Sequence, residues 1–440
     1  MIRSLVFASI VALSAVPVGA DDWPQWMGPN RDGVWHETGT LDQFPAGGPK
    51  VLWRTPIKGG YAGPAVANGR VFVFDYVRAD GKLNNDPGAR TQLKGQERLL
   101  CLEAKSGQVL WEYAYECPYA ISYASGPRCT PTVVDGKVYI LGAEGNLTCL
   151  QADSGSVIWK KELKKEYNTE APIWGFCSHP LVDGNKLICG VGGDGSTLVA
   201  FDKNTGREIW RAVSAKEQGY CPPTIVNAGG TRQLIHWNAE AICGLDPESG
   251  KVYWSVPLEA NYNMSIMSPR QAGEYLFAGG IGAVSVCLKF AADRPAVSEA
   301  WRGNRTKGVG PVNSTPIIDG DHIYGVDQPG PLRCVELKTG KRLWETYEPT
   351  TGINDPRRSG SGTAFLVKNG NKYFLMSETG HLIIAKLSPE GYKEVGRAKI
   401  IDTSNECFGR QVVWSHPAFA NRCVFMRNDR EIVCVSLAKD

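Results

Sequence analysis

Beyond its first twenty residues the 440-residue sequence has no apolar run long enough to cross a bilayer as a helix, so no transmembrane segment is expected. An excess of one charge is also missing. Lysine and arginine number 48 against 45 acidic residues, a net of +3, which excludes a nucleic-acid binder that works by charge. Helix-period stripes are absent, and with them a helical solenoid. There is no His-Glu-x-x-His, no Cys-x-x-Cys-His and no serine in a nucleophile-elbow context. Gly190 to Gly195 fits G-x-G-x-x-G, but it lies between two strands with no helix to follow, so the phosphate-binding mechanism fails. The loop carrying Asp80, Asn84, Asn85 and Asp86 lacks the ligand spacing of an EF-hand. None of the 13 cysteines adjoins another.

What is present points to β-structure. Glycine (50), proline (27), tryptophan (13) and tyrosine (16) are abundant, in a chain that is 42% hydrophobic and 21% charged. Turn formers mixed with β-formers at this level argue for an all-β fold of many short strands. The N-terminus reads as an export signal: Arg3, an apolar run at 5–16, then small residues at 18–20 before Asp21 and Asp22. Residues 1–20 are therefore assigned as signal peptide, 21–50 as a lead segment and 51–440 as the folded domain. The expected location is periplasmic or extracellular. No cysteine lies near the cut, so no lipid anchor is expected there. A disulfide joining Cys117 to Cys129 across one crossover is compatible with that compartment.

One phrase recurs: a small residue, a strand, a Ser/Thr-Gly turn, a short strand and a tryptophan. It reads CLEAKSGQVLW at 101–111, CLQADSGSVIW at 149–159, AFDKNTGREIW at 200–210, GLDPESGKVYW at 244–254 and CVELKTGKRLW at 334–344. Weaker copies start at Cys287, Ala385 and Cys434. Eight copies spaced 43 to 51 residues apart fit an eight-bladed β-propeller with four-stranded blades. In one unit the strands are expected at 131–134, 137–141, 147–150 and from 157, with Asp135-Gly136 as a hairpin turn. The last unit lacks its fourth strand. Residues 48–53 look like that missing piece, so an N-terminal strand is expected to close the ring and remove the open edges.

Columns of the repeat temper the residue statistics. The first position is always Cys, Ala or Gly, which reads as a tight buried spot against a neighbouring blade, with cysteine acting as a small hydrophobe. Seven of the 13 tryptophans (53, 111, 159, 210, 254, 301 and 344) share one column. They are expected to pack between blades.

The short turns lie on one face by strand alternation. Long connections, at 78–97, 112–128, 160–178, 212–221, 260–268, 302–313 and 345–362, lie on the other. A ligand or partner is expected on that face. Residues just before each innermost strand are expected to point at the channel mouth. The candidates are Arg128, Cys177, His179, Tyr220, Arg270, Asn313 and His416, joined by Trp174, Arg410 and Trp414. Cys129, Ser178, Cys221, Met267, Ser268, Ser314 and Ser415 share those segments. Ser-His-Pro occurs twice, at 178–180 and 415–417. Its histidines carry two readings: paired imidazoles near arginines for an anionic or metal-bound ligand, or imidazoles hydrogen-bonded to backbone at a strand start.

The phrase A-x-D-x-x-T-G-x-x-x-W at 200–210 resembles the tryptophan-docking repeat of quinoprotein alcohol dehydrogenases. Together with WPQWMGPNRDG at 23–33, it makes the chain similar to the PQQ-like β-propeller repeat family, which also includes the assembly lipoprotein BamB. The resemblance implies the eight-bladed fold over about residues 50–440. It implies two activities. One is a BamB-like, non-catalytic binding or scaffold protein of the cell envelope, a monomer using the long-loop face, with a protein, an envelope component or a small ligand as partner. The other is a PQQ-dependent dehydrogenase, in which the quinone stacks on a vicinal disulfide and chelates calcium. The missing vicinal cysteine pair favours the first, with no cofactor, metal or catalytic residue expected. A propeller binding a small ligand or glycan is a further alternative.

Overall fold

Each copy of the phrase becomes the third and fourth strands of an antiparallel sheet, and the register explains its residues. Cys101 pairs with Trp111, Cys149 with Trp159, Ala200 with Trp210, Gly244 with Trp254, Cys287 with Trp301 and Cys334 with Trp344. The small residue therefore sits directly opposite its own blade's indole, which corrects the expectation of a spot set by a neighbouring blade. At Gly244 an added Cβ would meet the Trp254 ring at 2.3 Å. A one-residue slip in pairing lies beside every one of these pairs. Such bulges twist the outer strand locally.

Residues 21–439 are described by the structure, a computed structural model. The expected signal peptide lies outside them. Eight sheets form an eight-bladed propeller. In blade 2, Thr132–Val134, Lys137–Leu141, Asn146–Gln151 and Val157–Glu162 run from the axis outward. Blade 8 consists of Ala418–Ala420, Cys423–Arg427 and Glu431–Ser436, completed by the N-terminal strand Val51–Pro56. Trp53 pairs with Cys434 in that seam. Blade 1 departs from the four-stranded plan. Its strands Arg70–Asp80 and Thr91–Glu103 extend into the segment expected to be loop, and Tyr119–Ile121 adds a fifth strand on Thr91–Leu93.

Blades dock through their tryptophans. The indole N–H of Trp159 donates to the Lys203 carbonyl of the next blade at 3.0 Å, and Trp210, Trp301 and Trp344 repeat the contact at 3.2, 2.7 and 2.8 Å. Trp53 donates to Ala104 O at 2.9 Å, which ties blade 8 to blade 1. The turn glycine of the next blade lies over the indoles of Trp53, Trp111, Trp159, Trp210 and Trp301, but not over that of Trp344. Gly107, Gly155, Gly206 and Gly250 have φ near +72°, and a Cβ there would approach the ring to 2.5–2.8 Å. Backbone conformation and close approach thus both select glycine. Trp254 faces the altered turn of the next blade, at 291–296, and bonds Gln233 of its own blade instead.

The lead segment closes the lower end of the channel. It exchanges backbone hydrogen bonds with Val66 through Trp23, reaches Val133 through Pro24 O and pairs with Lys368 through Gly33 and Trp35. Trp23, Trp26 and Trp35 are all buried. The innermost strands are mostly three residues long and leave backbone groups facing the axis; the plug supplies partners for several of them.

Candidate functional site

The long connections surround a cavity of about 930 Å³ at the upper end of the channel. Its floor is Trp26 of the plug with two histidines. Trp26 stacks on His179 at 4.9 Å and meets His416 edge-on at 5.9 Å. Beneath them Arg31 reaches up to donate to Pro180 O at 2.9 Å and His179 O at 3.1 Å. The crossover from blade 7 to blade 8 carries a hairpin, Asn405–Cys407 with Arg410–Val412, that leans over the mouth. Asn405 bonds the Tyr61 hydroxyl at 2.8 Å.

Nine of the ten expected site residues line this cavity: Arg128, Trp174, Cys177, His179, Tyr220, Asn313, Arg410, Trp414 and His416. Arg270 does not. Its guanidinium donates to Arg31 O at 2.8 Å and Asp32 O at 2.6 Å, so it holds the plug. The expectation that all residues before the inner strands face the mouth also needs correction. Cys129, Ser178, Cys221, Met267, Ser268 and Ser415 are buried outside the lining, whereas Ser314 is part of it. Ser178 bonds Cys221 O at 2.8 Å, and the Met267 sulfur accepts from Gly279 N at 3.1 Å. Residues alternate sides within an extended segment, so Cys177 and His179, Tyr220 and Pro222, and Trp414 and His416 face the axis while Ser178, Cys221 and Ser415 between them do not; at 312–315 four consecutive residues reach the lining. Cys117 and Cys129 are free thiols and form no disulfide. Cys117 lies 3.6 Å from Asn146 Oδ1 and Cys129 lies 3.7 Å from Phe176 O.

The histidines are neutral. His179 Nδ1 accepts from the Thr130 N–H at 3.0 Å, and burial, His416 and Arg31 hold its pKa well below the ordinary value. Burial pushes His416 down to about 3. His179 thus takes the backbone-bonded role at a strand start. The arginines differ in their partners. Arg410 is bound to the buried Glu378 at 2.6 Å, and Glu378 also receives the Trp414 indole N–H at 2.9 Å. That clamp fixes the Trp414 ring at the wall. Arg128 donates to the carbonyls of Gly126, Ser122 and Tyr123 and lies over the Tyr61 ring. It pairs with no carboxylate among the described residues. Burial pushes the Cys177 thiol up to about 11.

Several lining residues escaped the sequence reading: Trp26, Tyr61, Tyr123, Glu217, Tyr262, Gln328, Arg357 and Phe408. Tyr61 was within reach, because it precedes the first inner strand, Ala65–Ala67, in the frame used for the other blades. Trp26 was not, since only the folded ring brings the plug beneath His179.

A calcium-chelated quinone does not fit these donors. No two cysteines are adjacent in sequence. Among the described residues no three His, Cys, Asp or Glu side chains converge as a metal site. Glu217 is the one carboxylate in the lining, and Glu378 is committed to Arg410.

The docked indoles, the bulged repeats and the strand-exchanged seam define an eight-bladed propeller of the PQQ-like repeat class. The chain belongs to the family described as outer membrane protein assembly factor BamB, whose model matches residues 95–346. A curated BamB from Shewanella oneidensis is 24% identical over 159 residues, which is 34% of this chain and 39% of that protein. The match thus spans well under half of that relative. Among solved structures, BamB from Moraxella catarrhalis superposes with a TM-score of 0.56 at 16% identity, covering 88% of this chain and 97% of that one. A europium-containing methanol dehydrogenase gives 0.61 at 12% identity, covering 94% and 89%. At such identities these structures establish a common fold.

Proposed function

We propose that the chain is an exported, non-catalytic binding or scaffold protein of the cell envelope, similar in role to BamB, with the long-loop face as its contact surface. Family membership supports this reading. The observation that carries it is the contrast between the two ends of the ring. The lower end is plugged by the lead segment, while the upper end gathers the long connections and two exposed aromatics, Tyr262 and Phe408. Both stand on left-handed backbone, with φ of 59° and 51°. Large aromatics held out from a loop surface suit an interface hot spot. No helix among the described residues is long and apolar enough to cross a membrane.

The test is capture from a solubilised envelope extract, comparing wild type with a Tyr262→Ser/Phe408→Ser double variant. A defined set of envelope proteins retained by the wild type and lost by the double variant is the expected result. Equal retention by both would remove the loop face from the binding role. Retained quinone with dye reduction after adding PQQ and calcium would overturn the non-catalytic reading.

A further inference from the structure

We propose that the axial cavity is a binding site for a short acidic saccharide, a separate property from envelope-protein binding at the rim. Size is the first argument. A blind cavity of about 930 Å³ lies at the upper end of the range that encloses a drug-sized ligand. Its walls are the second. Trp174 and Trp414 are half-buried, so each leaves ring surface free toward the cavity. Trp174 meets Tyr220 at 60° and Trp414 meets Tyr123 at 55°. These tilted pairs form no parallel slot for a flat aromatic ligand. Single, differently oriented faces suit the apolar faces of successive sugar rings, with Asn263, Asn313 and Gln328 elsewhere in the lining for hydroxyl groups.

Charge is the third argument. Three guanidinium groups line the cavity. Arg410 is matched by Glu378 and Arg357 by Asp355. Arg128 is held only by backbone carbonyls and the Tyr61 face. Arg31, below the floor, likewise bonds only carbonyls and carries a further positive charge toward the cavity. The opposing carboxylate, Glu217, has its pKa raised by burial. A positive, partly desolvated wall selects an anion. Buried polar atoms short of partners supply the last observation. Asn313 Nδ2, in the lining, has no hydrogen-bond partner, and the Tyr123 and Tyr220 hydroxyls have only weak contacts, to Cys407 and to the Trp174 backbone. Native structures rarely leave such atoms unpaired without a missing ligand or water.

The experiment titrates trigalacturonate into the purified mature protein by calorimetry, with its fully methyl-esterified form as the uncharged control. A second readout is alkylation of Cys177, which lines the cavity and is the one partly exposed cysteine among the described residues. The acid is expected to bind, to slow Cys177 alkylation and to outcompete the ester at least tenfold. Arg128→Gln is expected to erase that preference, and Trp174→Ala to weaken acid and ester alike. Thermal melts establish that each variant is folded. Tyr220→Phe, which keeps the ring, serves as a milder variant and is expected to weaken both ligands. Absence of heat with unchanged alkylation would overturn the proposal. So would binding without protection of Cys177, or equal affinity for acid and ester. None of these outcomes bears on envelope-protein capture by the rim.

Discussion

Replacing Trp53 with alanine is expected to cost far more than the same change at Trp111, although both occupy one column of the repeat. Trp53 is 8% exposed. A buried indole removes roughly 200 Å² from water, or about 5 kcal/mol as an upper bound at 25 cal/mol per Å². Its N–H also bonds Ala104 O at 2.9 Å across the seam, a contact that contributes about 1 kcal/mol. Truncation leaves a hole between Gly107, Phe425 and Cys434 that the short turn cannot fill. A loss of about 4 kcal/mol is therefore expected, within the usual span for a core tryptophan. Trp111 is only half-buried, and its indole N–H has no partner. About 2 kcal/mol is expected there. Urea unfolding followed by far-ultraviolet dichroism measures both. Equal losses, or a greater loss at Trp111, would refute the idea that a buried indole bonded to Ala104 O holds the seam.

Two further outcomes follow from the cavity. The folded pKa values of His179 and His416 lie below their unfolded value of about 6.5. The unfolded chain therefore binds more protons as pH falls below that value, and stability is lost on acidification, by at most about 1.4 kcal/mol per pH unit for each proton. Urea midpoints between pH 7 and pH 4.5 should fall in the wild type and fall less in a His179→Gln/His416→Gln variant; parallel slopes would contradict it. Arg410→Ala should destabilise by about 3 kcal/mol or more, because it strands the buried Glu378. Arg397→Ala, at a more exposed pair, should cost at most about 1 kcal/mol. Comparable losses in the two variants would mean that Glu378 is not held by Arg410.

The ring was legible because its sequence repeats. A glycine that must clear an indole recurs at five blade junctions, and a small residue that must face one recurs in seven blades. The seam was legible for the same reason, as residues 48–53 carry the end of a phrase whose start lies at Cys434. The site was legible only by position. Counting back from each inner strand found His179, Asn313 and His416, but it also collected Arg270 and Met267, because position along a strand does not say which side a residue faces. The plug was hidden: Trp26 and Arg31 act on residues more than a hundred positions away. The extra hairpin carrying Phe408 interrupts a crossover and follows no column. Blade 1's fifth strand was missed because 78–97 is polar and reads as loop, although Glu97 is fully buried there under the Tyr119 hydroxyl at 2.6 Å.

Amide hydrogen exchange along Val51–Pro56 reports most directly on whether the two ends of the chain meet in one sheet. Protection comparable to that of the facing strand Glu431–Ser436, lost in the same unfolding step, is the result expected of a closed ring. Exchange at the rate of a free terminus, with Glu431–Ser436 fraying as an open edge, would mean that the propeller does not close through its N-terminal strand.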